Sequence, residues 1–347
     1  MEDGPDVIDR DAGMKAAIVG CGAIASRWLR AFAADGRVAP AVLVDPDHQA
    51  AARLARKHNL DIPVVPAFAD ALAEHAIDVV VNLTPPERHA EVSAGALDVG
   101  AHVFSEKPLA TSLDDAIGLV DLATRRRRLL CVMQNRGADA RFVAFTDRVR
   151  NDTCGSLLVT ADILVDLPVP GFRSRQRLVA TLDLAVHAFD QIRRIIPACP
   201  LTVDAREAPL SFLGAHCAMT VITVAFADGS IFSYRGGYTA GPGDRVSANG
   251  SWAIRGRNVL ATWDGDRTAV VTTAGKPTPE HLTLPDAAPS YLTCITEMID
   301  AVAGATNPPG PAVGNLGSIA LLDAALMSAA TGRPAVVREL PRLLQEF

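Results

Sequence analysis

The sequence predicts an α/β chain of two parts: a doubly wound parallel-sheet domain, then an α+β domain with a mostly antiparallel, open sheet. Three observations predict it. From Lys15 to about residue 135, short apolar runs alternate with helix-length stretches, as in a parallel sheet covered on both faces. A glycine-rich loop follows the first run directly. After residue 135 the texture turns to closely spaced β-rich runs.

Residues 1–13 are acidic, contain Gly and Pro and show no periodicity, so they read as a loose tail. Strands are predicted at 16–19, 41–44, 78–83, 102–104 and 129–133, with helices at 22–35, 47–58, 87–99 and 111–127 between them. A helix at 138–150, a strand at 156–167, a loop carrying Pro168, Pro170 and Gly171, and a helix at 179–196 follow. Further strands are predicted at 201–206, 219–227, 230–235, 251–254, 258–263 and 268–273, with Asp228-Gly229 marking a hairpin. Late helices at 290–304 and 314–331 are expected to pack back on the body. The expected division is a tail at 1–13, a first domain at 14–136 and a second at 137–347. Arg125–Arg128, at a predicted helix end, reads as a solvated run complementing the helix dipole.

Composition narrows the function. The 347 residues are 49% hydrophobic with a net charge of −6, which suits a globular chain and lacks the basic footprint of a nucleic-acid binder. Stacking platforms are scarce, with 11 Phe, 3 Trp and 3 Tyr. Six scattered cysteines with no C-x-x-C pair read as reduced thiols. No signal peptide or membrane span is expected, so a cytoplasmic protein is. His75, His102 and His216 have no metal-ligand spacing, and no metal site is expected.

Gly20-Cys21-Gly22-Ala23-Ile24-Ala25 closes the first strand and opens a helix. Gly20 permits the turn, Gly22 lets the main chain approach a pyrophosphate, and Ala25 allows close packing, which is the logic of a Rossmann dinucleotide loop. The helix N-terminus beyond it offers N–H groups to phosphate. Asp45 ends the next strand about 20 residues on, where its carboxylate would bind ribose hydroxyls and repel a 2′-phosphate. NAD is therefore expected, with NADP disfavoured. Cys21 reads as a small side chain in tight quarters.

Asn82-Leu83-Thr84-Pro85-Pro86-Glu87-Arg88-His89 and Ser105-Glu106-Lys107-Pro108 close two later strands, at the sheet edge where such folds bind ligands. Together with GCGAIA, Asp45 and the later TLDLAVHAFDQIRRI, these segments resemble the glucose–fructose oxidoreductase/inositol dehydrogenase (Gfo/Idh/MocA) family. The resemblance extends over nearly the whole chain and implies a catalytic set of Lys107, Asp183 and His187. Asp183 and His187 stand four residues apart, so a helix puts them one turn apart on one face; Asp190 shares that face as a weaker candidate. Imidazole suits general-base removal of a hydroxyl proton, Lys107 would stabilise charge on the reacting oxygen, and Asp183 would hold a neighbouring hydroxyl. The expected cofactor set is Gly20, Cys21, Gly22, Ala23, Ile24, Asp45, Thr84, Pro85, His89, Glu106, Lys107 and Asn135.

The sequence departs from the family at Arg177–Leu182, where many members are glycine-rich, so a pocket unlike that of inositol dehydrogenase is expected. Arg173, just upstream, is a candidate for binding substrate hydroxyl or carboxylate groups beside Lys107, Asp183 and His187. Trp252 and Trp263 read as core or interface residues. The expected function is NAD-dependent oxidation of a secondary hydroxyl of a sugar, inositol or polyol, or reduction of the ketone. The alternatives are a non-catalytic NAD-sensing regulator and a reductase of an imine or nucleotide-linked keto-sugar; His187, where some such relatives carry tyrosine, argues against the reductase. The open sheet predicts a homodimer or homotetramer.

Overall fold

The computed structural model describes residues 13–165, 171–209, 218–238, 247–304 and 312–340. The acidic tail up to residue 12, Pro168, Pro170, His216 and Cys217 lie outside the described residues. The chain forms two compact units. One comprises Met1–Gln134 with Tyr291–Leu316, the other Asn135–Ser290 with Gly317–Glu346. Tyr291–Leu316 thus groups with the first unit although it follows the second in sequence.

The first unit carries a six-stranded parallel sheet built from β1 (Met14–Val19), β2 (Val38–Val44), β3 (Val64–Val65), β4 (Val79–Asn82), β5 (His102–Ser105) and β6 (Leu130–Val132). Their order is β3-β2-β1-β4-β5-β6. β4 and β6 are buried along their whole length, as strands covered on both faces must be. Helices α1 (Ala25–Asp35), α2 (His48–Lys57), α3 (Phe68–Glu74), α4 (His89–Asp98) and α5 (Leu113–Arg126) alternate with the strands. Both β3 and α3 escape the sequence reading, since a two-residue strand has no periodicity to detect. Arg125 and Arg126 end α5 and pair with Asp121 and Asp98.

The order of strands reverses direction between β1 and β4, and ladder bonds continue past the strand ends there. Gly20 N–H donates to Val44 O, Leu83 N–H to Val19 O, and Glu106 N–H to Asn82 O, all at 2.8–2.9 Å. The loops that follow β1, β4 and β5 therefore start in register along one edge.

The second unit holds β7 (Leu158–Val165), β8 (Pro200–Pro209), β9 (Ala218–Phe226), β10 (Ile231–Tyr238), β11 (Ser251–Arg255), β12 (Val259–Trp263), β13 (Ala269–Thr273), β14 (Glu280–Leu282) and β15 (Ala335–Val336). The order is β14-β13-β12-β11-β7-β10-β9-β8-β15, antiparallel except for the β7–β10 pair. Gly229, at φ 82°, turns the chain between β9 and β10 at the expected hairpin. α6 (Ala140–Arg150) and α7 (Val186–Ile195) belong to this unit. Phe142 and Phe145 of α6 meet Trp252 and Trp263, with ring centroids 5.6–6.0 Å apart. Both tryptophans are core residues, 1% exposed.

Two long helices, α8 (Ser290–Val302) and α9 (Ala312–Thr331), follow. Among the described residues α9 alone has the length and composition to cross a membrane, and 61% of its most apolar window is buried inside the protein. A core helix is apolar all round for the same reason.

Candidate active site

In the first unit, the β1–α1 loop is built by main-chain geometry. Gly20 has φ 96°, and a Cβ there would lie 2.6 Å from Leu83 O, so both handedness and crowding demand glycine. A Cβ at Gly22 would meet nothing within 4 Å, so the surface over that peptide is open. Ala23 and Ile24 lead into α1, which has no side-chain N-cap and no acidic residue in its first turn. These are the conditions under which a helix N-terminus accepts phosphate.

Asp45 ties this loop to β2. Its Oδ2 accepts from Cys21 N–H and its Oδ1 from Asp47 N–H, both at 2.8 Å. A carboxylate has lone pairs beyond these two bonds. The Cys21 thiol is 6% exposed, and burial, reinforced by Asp45, pushes its pKa up to about 12. It therefore remains a protonated packing group. The open Gly22 surface, the uncapped helix and the strand-end carboxylate fit a dinucleotide.

The loops after β4 and β5 are braced by side chains. Asn82 is fully buried, donates to His89 O and Ser93 Oγ at 3.0 Å, and accepts from Thr84 Oγ1 at 2.6 Å. Thr84 and Pro85 are thereby held at the strand end. His89 corrects the sequence expectation. Its ring is 1% exposed, with Nδ1 2.6 Å from Pro108 O and Nε2 2.9 Å from Thr84 O. Both nitrogens face main-chain carbonyls, so the ring clamps the two loops together and has no polar atom left for a cofactor. Burial lowers its pKa, against the pull of the carbonyls. Glu106 accepts from the Trp28 indole at 3.0 Å, which anchors the Glu106-Lys107-Pro108 turn to α1. The Lys107–Pro108 peptide is cis.

In the second unit, Asp183 lies in a π-helical turn, Thr181–Ala185, that runs directly into α7. The expected continuous α-helix is thus replaced by a single widened turn, a feature common at functional sites. Two bonds to β8 hold it. Glu207 accepts from Ala180 N–H at 3.1 Å and Thr181 N–H at 2.8 Å. Asp183 and His187 are 7% and 4% exposed.

Asp183 accepts a short hydrogen bond from the Tyr238 hydroxyl and an ion pair from Arg173 Nε at 3.0 Å. Burial first, then the Asp183 charge, push the Tyr238 pKa well above its ordinary value, so the phenol stays a donor. Arg136, whose pKa burial lowers, feels the potential of Tyr234, Asp183 and Tyr238. Asn135 donates from its amide to Ser290 Oγ at 3.3 Å. Asp190 is corrected too: it lines a separate cavity of about 820 Å³ with Arg193, Arg194 and Cys154. Burial raises its pKa to about 7 despite nearby Arg193.

Arg136, Glu207 and Tyr238 were not singled out from the sequence. One signal existed for Tyr238. Tyr234, Gly236 and Tyr238 alternate along β10 and so share its inner face.

The model of the oxidoreductase family with the NAD-binding Rossmann fold matches residues 14–134. Inositol 2-dehydrogenase 3 of Saccharopolyspora erythraea is 29% identical over 133 residues, 38% of this chain and 39% of that one. dTDP-3,4-didehydro-2,6-dideoxy-alpha-D-glucose 3-reductase of Saccharopolyspora spinosa is 28% identical over 346 residues, covering 90% of this chain and 95% of that one. With that inositol dehydrogenase and two uncharacterized oxidoreductases of Schizosaccharomyces pombe, the matched stretches span only 27–39% of the relatives' own length. Among solved structures, the WlbA dehydrogenase of Chromobacterium violaceum in complex with NADH and UDP-GlcNAcA has the same fold, with a TM-score of 0.76 and 21% identity over 99% of each chain. Over residues 14–134 the chain is thus similar to the Gfo/Idh/MocA oxidoreductase family.

Proposed function

We propose that this chain is an NAD-dependent dehydrogenase that oxidises a secondary hydroxyl of a sugar, inositol or related polyol, or reduces the corresponding ketone. The observation that carries the reading is the buried Asp183 and His187 pair, with Asp183 held by Tyr238 and Arg173, in a chain whose first unit fits a dinucleotide. Gly20, Gly22, the start of α1 and Asp45 would hold NAD, which supplies the hydride acceptor when bound.

The protein's own residues do the proton chemistry. His187 removes the hydroxyl proton as the carbon–hydrogen bond gives up its hydride, and returns it in the reverse direction. Lys107 binds the reacting oxygen and offsets its developing negative charge. Asp183, fixed by two donors, accepts from a neighbouring hydroxyl and orients the ring. Asp45 favours NAD over NADP by repelling a 2′-phosphate. The reading extends to a homodimer or homotetramer, supported by apolar residues exposed on the outer sheet face, among them Leu158, Val221, Ile231 and Leu260.

The test is reduced-nicotinamide absorbance with a panel of polyols, for the wild type and for Lys107→Met and His187→Ala. Both variants are expected to lose ~10²–10⁴-fold in turnover while NAD binding persists. Turnover near wild type in both defeats the assignment. Absence of reduction with every polyol favours a non-catalytic NAD-binding regulator. The relative that matches across 90% of this chain, named as a keto-sugar 3-reductase, supports a second reading: reduction of a nucleotide-linked keto-sugar. NADH oxidation by such a ketone, with no activity on free polyols, would establish it.

A further inference from the structure

The helical segment that carries Asp183 and His187 starts at residue 179 from a backbone its own sequence does not favour. Leu178, immediately before it, has φ 52°, left-handed backbone that crowds any side chain. Leu182 N–H reaches back to Leu178 O at 2.9 Å, so the amides ahead of it have no acceptor within the helix. Ala180 opens the π turn without a capping side chain. A strained entry and an uncapped start both favour fraying, yet Thr181, Asp183 and His187 are at most 7% exposed.

Three adjacent strands supply what the local sequence lacks. Glu207 of β8 accepts from the Ala180 and Thr181 amides at 3.1 and 2.8 Å. Thr220 of β9 accepts from the Thr181 hydroxyl at 2.8 Å, both residues being 0% exposed. Tyr238 of β10 donates to Asp183. Glu207 is paired with Thr220 across the sheet, and Thr220 with Gly236, so Glu207 and Thr220 stand side by side in one row. The same face is apolar further along: Val203 and Ala205 on β8, and Ile222 and Val224 on β9, are all 0% exposed and alternate in step with Glu207 and Thr220. The polar row spends its acceptors on the turn, and the Glu207 charge also lies at the positive end of the helix dipole.

We propose that Glu207 is a positioning residue for the reaction: it caps the helix from β8, balances the left-handed entry at Leu178, and so fixes Asp183 and, one turn later, His187. The inference rests on the dehydrogenase reading, which takes these two residues as reacting groups. Glu207 acts through main-chain amides and not on the reacting atoms. Glutamine in its place keeps the size but can turn only one acceptor oxygen to the two amides, so a bond is lost and the strain at Leu178 is no longer balanced. Glycine at 178 relieves that strain from the other side, since left-handed backbone is open to it; alanine does not.

The experiment uses the full-length protein with two readouts, amide hydrogen exchange over residues 179–185 and kcat with the best substrate of the polyol panel, both taken well below each variant's Tm. In Glu207→Gln, exchange in this segment should quicken about ten-fold or more while the strands of the parallel sheet exchange as in the wild type. Its kcat should fall about ten-fold or more with the KM for NAD unchanged. Adding Leu178→Gly should restore both by several-fold, whereas Leu178→Ala should restore neither. Unchanged exchange in Glu207→Gln would overturn the cap. Faster exchange with a wild-type kcat, or a lowered Tm with kcat intact, would make Glu207 a structural residue and overturn the positioning role. Equal effects of Leu178→Gly and Leu178→Ala in the Glu207→Gln background would overturn the part played by strain. Wild-type protein that reduces no NAD with any substrate removes the dehydrogenase reading instead, and the exchange measurements still decide whether Glu207 holds the turn.

Discussion

The dinucleotide loop of the first unit and the Asp183 cluster of the second are made of different material. The loop is main chain: a glycine at φ 96°, an open peptide at Gly22 and an uncapped helix start, with Asp45 as its one charged side chain. The cluster is side chain: Asp183 on the π turn is held by Arg173 from an upstream 3-10 turn and by Tyr238 from β10, three stretches of sequence meeting at one buried carboxylate. A main-chain site tolerates most side-chain changes and fails when its backbone is blocked. A side-chain cluster fails one hydrogen bond at a time, because each buried donor or acceptor left alone costs its full desolvation.

The largest test of this contrast separates turnover from cofactor binding. His187→Ala should cut kcat by ~10²–10⁴-fold and leave NAD affinity within a few-fold, read by steady-state kinetics and NADH titration. Gly20→Ala should do the reverse. It forces alanine into left-handed backbone against Leu83 O, an expense of about 1–3 kcal/mol, so NAD affinity should weaken about ten-fold or more while Asp183 and its partners stay intact. Wild-type NAD affinity in Gly20→Ala would contradict a backbone-built loop.

Next in size is Tyr238→Phe, which removes a donor to a buried carboxylate, worth roughly 1.5–3 kcal/mol. Turnover should fall about ten-fold or more with the KM for NAD unchanged; equal changes in both would show that the two regions are not separable. The smallest effect concerns Asp190 and stability alone. Its pKa rises from an ordinary 3.8 to about 7 on folding, so between those values the folded chain holds a proton that the unfolded chain releases. Stability from this group is present below pH 4 and lost as pH climbs through 7. Asp190→Asn should flatten that decline, gaining on the order of 1 kcal/mol over the wild type at pH 8, measured by thermal melts across pH. Parallel pH profiles for the two proteins would refute the assignment.

The legibility of the two regions follows the same division. Gly20, Gly22 and Asp45 could be read from the sequence because the loop's demands are local: a positive φ, an open peptide and a strand-end carboxylate at fixed spacing. The strands of the parallel sheet were readable because burial on both faces leaves nearly unbroken apolar runs. β3 and α3 were not, since a two-residue strand carries no period. His89 was placed in the cofactor set by its neighbours, yet its ring nitrogens are claimed by the Pro108 and Thr84 carbonyls, partners that appear only when two strand-end loops meet. Asp183 and His187 were singled out by the resemblance to the family, their spacing adding only that a helix puts them on one face, but the π turn that carries Asp183 was not legible, because Glu207 on a distant strand holds it.

By itself, then, the order of residues determined the parallel sheet, the glycine turn and the pair of acid and imidazole on one helical segment, since each depends on contacts within a few residues or on a repeating pattern. Tertiary structure alone decided which charges are compensated: Tyr238 and Arg173 on Asp183, carbonyls on His89, a separate cavity for Asp190, and no acceptor for Arg136 Nη1 among the described residues. Hydrogen bonding and desolvation are properties of neighbours in space, and a β-sheet recruits those neighbours from strands far apart in the chain.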